Sequence, residues 1–88
     1  MGKTRALMLL PCPRCKGLPT AYVARMTRYG TLRAIACADR ACNVNTTFLP
    51  LSLDEVAERW NAGVGLTREG VPFRQVQGQM IAVEVVDA

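Results

Sequence analysis

Histidine is absent from this 88-residue chain. Its absence removes the side chain most used for proton transfer near neutral pH, together with every Ser-His-Asp and Cys-His arrangement. An enzyme is not expected. Long apolar runs are missing as well: none approaches the roughly 18–20 residues of a membrane helix, and the N-terminal run Ala6–Leu10 is shorter than the about 7–15 residues of a secretory signal core. No membrane role is expected, and the chain reads as cytoplasmic. Aromatics are scarce. Tyr22, Tyr29, Phe48, Trp60 and Phe73 are the entire stock, a thin supply for a protein that would stack several bases of a single strand. Internal repeats and low-complexity stretches are lacking too, and a chain this short has no room for two independent cores.

What is present is ordinary globular material, half hydrophobic and one fifth charged. A chain of this size buries only about 60–65% of its unfolded surface, so a covalent or metal staple is expected. Four cysteines can supply it. Cys12 and Cys15 lie in the proline-stiffened turn PCPRCKG, and Cys37 and Cys42 bracket four residues, so two turns separated by a 21-residue insert can grip one ion. Gly17 is expected to supply a positive φ at the end of the first turn. In a reducing compartment an even cysteine count points to metal. Four thiolates fill tetrahedral coordination and leave no position for water, so the expected ion is one structural zinc. Two disulfides, with three connectivities, are the alternative; a redox role for Cys12 and Cys15 lacks the strand–helix context it needs, and an iron centre would take the same ligands.

The pattern predicts a small α+β fold. Thr20–Arg28 and Leu32–Cys37 read as a hairpin about the Tyr29-Gly30 turn, and Val44–Leu49 as a third strand ended by Pro50. Ser52 stands three residues before Glu55, as in a capping box. Leu53, Val56, Ala57 and Trp60 fall on one helical stripe, so a helix is expected over Leu53–Ala62 with Asn61 and Gly63 at its end. Trp60 is expected in the core and Asn61 on helix-end or knuckle backbone. The segment 64–70 reads as a connection. Phe73–Val76 and Gln79–Val86 read as a second hairpin around Gln77-Gly78. The expected organisation is a zinc-ribbon domain over 1–62, a connection over 63–70 and an appended hairpin over 71–88. That hairpin would be either a packed extension or an edge for a homodimer.

Charge is unevenly spread. The first forty residues hold Lys3, Arg5, Arg14, Lys16, Arg25, Arg28, Arg33 and Arg40 against Asp39, a net of +7, whereas the remainder is −3. One zinc on four thiolates would lower the basic half to about +5. Arg14, Lys16, Arg25, Arg28, Arg33 and Arg40 are therefore the candidate contacts for nucleic-acid phosphates or an acidic partner. Arg25 and Arg28 have opposite parity, so an unbulged strand would not gather the whole set on one face. A basic ribbon fits poorly with mimicry of DNA, which needs an acidic surface.

Residues 9–62 resemble the small phage and prophage zinc-ribbon proteins of the restriction alleviation, Lar-like type. The resemblance rests on Leu10-Pro11-Cys12-Pro13-Arg14-Cys15 with Gly17, on a second cysteine pair beyond a hairpin, and on the closing helix Glu55-Val56-Ala57-Glu58-Arg59-Trp60-Asn61. It departs from the family in the four residues between Cys37 and Cys42, where two followed by glycine are usual, and in Arg14, where an aromatic is common. The resemblance implies a non-catalytic accessory that binds a host defence or DNA-processing protein of the restriction-modification class. The alternative is a small regulator that binds nucleic acid directly through its basic hairpin.

Overall fold

The structure, a computed structural model, describes residues 3–87. In chain order its elements are β1 (Lys3–Leu9), β2 (Pro19–Thr27), β3 (Gly30–Cys37), α1 (Leu53–Ala62), β4 (Leu66–Arg68), β5 (Val71–Phe73) and β6 (Ile81–Asp87). The fold is small α+β, as the pattern predicts, but its strands pair differently from expectation.

The β2–β3 hairpin is confirmed, with Tyr22 opposite Ala34 and Ala21 opposite Ile35, and with a register irregularity between Ala24 and Thr27. The third strand is only partly formed. Residues 44–49 run beside β3 through isolated bridges of Arg33 with Leu49 and Ala36 with Asn45. Between those bridges Thr47 takes a φ of +65°, costly for a β-branched residue at about 1–3 kcal/mol. Thr46 Oγ1 fills the gap, accepting from Ile35 N at 3.1 Å and donating to Thr47 O at 3.0 Å. A hydroxyl thus replaces the missing ladder partner of a buried N–H.

The two C-terminal expectations are corrected. The segment 63–70 is not a bare connection: it carries β4, which forms with β5 a tight hairpin whose Glu69-Gly70 turn has φ values of +52° and +80°, the sign pattern of a two-residue type I′ turn. Asn45 links this hairpin to β3, exchanging backbone bonds with Thr67 at 2.8 and 2.9 Å. No second hairpin forms around Gln77-Gly78. Residues 74–80 are irregular, and β6 pairs instead with β1, Leu7 opposite Val83 and Leu9 opposite Ile81. The strand expected in that hairpin is therefore paired with β1 instead.

β1 overlaps the stretch Ala6–Leu10, which attracts notice in the sequence only as too short for a signal core. Leu7 and Leu9 point inward while Thr4, Ala6 and Met8 are exposed, and Val85 of β6 joins them inside. One core cluster draws on Leu7, Ile35, Val44, Val56, Trp60, Leu66 and Val85. The segments expected as separate, 1–62, 63–70 and 71–88, share that core, apart from residues 1, 2 and 88, which lie outside the described residues.

α1 matches its expected bounds. Ser52 accepts from Glu55 N, Glu55 answers through its carboxylate, and Leu53, Val56, Ala57 and Trp60 are buried. Gly63 ends the helix at φ +73°. A Cβ there would lie 2.6 Å from Gln75 N, whereas at Gly70, φ +80°, it would meet nothing within 4 Å. Gly70→Ala is thus expected to cost only the roughly 1–2 kcal/mol of left-handed backbone. Gly63→Ala should cost clearly more, read as a larger drop in the urea midpoint of the metal-loaded protein.

Candidate metal centre

Each cysteine turn is built by its own backbone bonds. In the first, Cys12 N donates to Gly17 O at 2.9 Å and Lys16 N to Cys12 O at 3.0 Å. The positive φ falls on Lys16, at +64°, and not on Gly17. Gly17 matters for another reason: a Cβ would stand 3.1 Å from Cys15 Sγ and 3.7 Å from Cys37 Sγ, so the sulfurs need the space. In the second turn Asp39 gathers the chain. Its carbonyl accepts from Cys42 N and Asn43 N, each at 3.0 Å, and its carboxylate from Ala41 N at 2.9 Å.

These turns bring the four predicted residues together. The sulfurs of Cys12, Cys15, Cys37 and Cys42 all lie within 4.8 Å of one another. Two contacts cross between the turns, Cys12 with Cys42 at 3.5 Å and Cys15 with Cys37 at 3.4 Å. All four are free thiols, and these separations far exceed the about 2.05 Å of a disulfide. Cys12, Cys37 and Cys42 are buried and belong to the core cluster, while Cys15 is exposed. The arrangement can hold a metal ion.

Electrostatics divide the set. Burial pushes the Cys12 and Cys37 thiols up. Burial acts on Cys42 in the same direction, but the Arg14 guanidinium beside it, and hydrogen bonding with Cys12 and Val44 N–H, outweigh it and bring Cys42 down to about 7. The same contact raises Arg14. A thiol that ionises near neutrality beside a cation is prepared for metal.

The other predicted residues are dispersed around this centre. Arg14 and Lys16 are exposed on the first turn, Arg40 on the second, and Arg25 and Arg28 on the hairpin. Arg33 is half-buried and donates to Leu51 O at 3.1 Å, tying β3 to the entry of α1. Trp60 is fully buried, with Nε1 donating to Leu10 O at 2.8 Å. Asn61 accepts from Leu10 N at 2.8 Å and donates to Met8 O at 2.9 Å, so it serves the end of β1 and the backbone leading into the first turn.

One contributor escapes sequence reasoning. Arg68 Nε donates to Cys42 O at 2.8 Å and so braces the second turn from β4. Nothing in its spacing signals this, because the contact depends on the β4–β5 hairpin lying beside residues 41–45.

Comparison with protein-family models, curated proteins and solved structures gives no match. Among the described residues no helix is long and apolar enough to cross a membrane.

Proposed function

We propose that the four cysteines hold one structural zinc and that the domain so stabilised, a zinc ribbon, is a non-catalytic nucleic-acid-binding module. An all-sulfur donor set suits zinc, and two thiolates on one tetrahedral zinc stand about 3.8 Å apart, close to the 3.4 and 3.5 Å found between the turns. Cys12, Cys15, Cys37 and Cys42 would supply the four ligands, which leaves the ion's role structural: it fixes the two turns against each other. Persistent thiolates fit a reducing, cytoplasmic setting.

The observation that carries the binding reading is exposure. Arg14, Lys16, Arg25, Arg28 and Arg40 all stand in solvent on the turns and hairpin, where cations can meet phosphates. Fluorescence anisotropy of a labelled oligonucleotide against salt tests it. Log affinity should fall linearly with log salt, with a slope of about −0.7 per phosphate neutralised on a single strand. Replacing Arg25 and Arg28 together by glutamate should reduce the slope by about 1.4. Absence of binding at low salt would overturn the reading. The resemblance of residues 9–62 carries a second reading, a host restriction-modification protein as partner. Its capture by the metal-loaded chain after nuclease treatment is the outcome that favours it.

A further inference from the structure

Resting on the nucleic-acid reading above, we propose that an open groove across β3 seats an unpaired stretch of RNA, with bases against Tyr22 and Phe48. The groove encloses about 520 Å³, and Tyr22, Ala34, Ala36, Arg40, Asn45 and Phe48 are among its lining. Register explains its shape. Ala34 lies opposite Tyr22 and Ala36 opposite Asn45, so these side chains share one face of the sheet. The neighbouring Ala21 and Ile35, on the other face, belong to the core or pack against it. The two alanines make a floor, 3% and 5% exposed, between β2 on one side and residues 43–48 on the other. Two strand spacings set those walls roughly 10 Å apart.

Neither ring is needed inside. Trp60 belongs to the core cluster and Phe73 packs against it, but Tyr22 and Phe48 do neither, and they are 38% and 48% exposed. Thr47 and Phe48 line the groove consecutively, which a regular strand would forbid because neighbouring side chains alternate faces. The φ of +65° at Thr47 breaks the alternation. It is held there by Thr47 N donating to Asn45 Oδ1 at 2.9 Å and by Thr46 Oγ1 at its carbonyl. A strained residue thus places an aromatic ring at an open wall.

The lining also selects an occupant. Arg40 brings a cation, and no carboxylate occurs among the described lining residues, which favours a polyanion. Aromatic faces stack on bases only where the bases are unpaired, so the polyanion is single-stranded. The hydroxyl of Thr47 and the amide of Asn43, both in the lining, suit a ribose 2′-OH, which distinguishes RNA from DNA.

Anisotropy titrations of the zinc-loaded chain with labelled U12, dU12 and a 12-base-pair duplex test this. U12 should bind tightest. Tyr22→Ala and Phe48→Ala should each weaken U12 binding about 5- to 150-fold, the range for loss of one base–aromatic stack, with the salt slope unchanged. Unaltered Trp60 emission would show that each variant is folded. Irradiation of a 5-iodouridine-containing U12 on the unmutated protein should crosslink Tyr22 or Phe48. Equal binding of dU12, or of the duplex, would overturn the occupant. Salt-dependent binding that ignores both substitutions and crosslinks elsewhere would overturn the groove and leave the nucleic-acid reading standing, whereas no binding of any oligonucleotide would overturn both.

Discussion

Treating the reduced protein with a strong chelator is expected to abolish its cooperative unfolding transition and shift Trp60 emission to that of a solvated indole, and added zinc should restore both. Trp60 is the only tryptophan and is fully buried, so its emission reports the core directly. The size of the effect follows from where the sulfurs sit. Structural zinc sites contribute apparent free energies of roughly 10–16 kcal/mol, against a whole stability of about 5–15 kcal/mol for an ordinary domain. Cys12, Cys37 and Cys42 lie within the same cluster as Ile35, Val44 and Trp60, so the ion and the apolar core are one structure. Each of Cys12→Ser, Cys37→Ser and Cys42→Ser should behave like chelation. The pH dependence has a definite sign. Binding requires four thiolates, so acid returns protons to the sulfurs and releases the ion; stability of the loaded protein falls as pH is lowered and the release takes up protons. Burial raises Cys12 and Cys37, and protons compete hardest at those two. Native Trp60 emission after complete chelation under reducing conditions would remove the zinc from the account.

The elements legible in the sequence are those whose signals are local. Ser52 and Glu55 mark the start of α1 within three residues, the stripe from Leu53 to Trp60 marks its buried face, and the Tyr29-Gly30 turn marks the hairpin. The cysteine cluster was legible for the same reason, since each pair lies within one turn. β1 was not. Leu7, Met8, Leu9 and Leu10 are all apolar, so the alternation that buries Leu7 and Leu9 and exposes Met8 leaves no trace in composition, and the partner strand is at the other end of the chain. Ile81, Val83 and Val85 of β6 share one face, but a period does not name a partner, and the nearby Gln77-Gly78 suggests the wrong one. Gly65 and Gly70 lie in the segment 64–70, whose sequence reads as a connection. Instead Gly65 precedes β4 and Gly70 sits in the turn between β4 and β5, a hairpin of three-residue strands too short to display alternation. The groove was illegible because it depends on a backbone irregularity at Thr47, a residue whose branched side chain predicts extended structure.

Trp60→Ala is expected to cost about 3–5 kcal/mol and to leave much of the protein unfolded at 37 °C, but its two milder relatives are the more instructive test. Trp60→Phe keeps most of the ring and removes the donor to Leu10 O; Asn61→Ala removes both the acceptor for Leu10 N and the donor to Met8 O. Each leaves backbone groups without their partner, at about 1–3 kcal/mol for a buried group. Leu10 is the hinge of this arrangement, because it is held on both its N–H and its carbonyl, by Asn61 and Trp60 respectively, and Pro11-Cys12 follow immediately. Helix α1 therefore fixes where the first cysteine turn begins. A loss confined to core packing would lower the urea midpoint and leave the affinity of the folded protein for zinc unchanged. If the two side chains position Cys12 instead, Asn61→Ala should weaken zinc binding about 10-fold or more in competition with a chromophoric chelator, in the range seen for groups that orient metal ligands. Asn61→Asp, which keeps an acceptor for Leu10 N, should recover part of it. Because Trp60 and Asn61 act on the same residue, the double variant should be less damaging than the sum of the singles by about 0.5–3 kcal/mol. Strict additivity, with zinc affinity intact in both singles, would reduce the pair to ordinary core and helix-end residues.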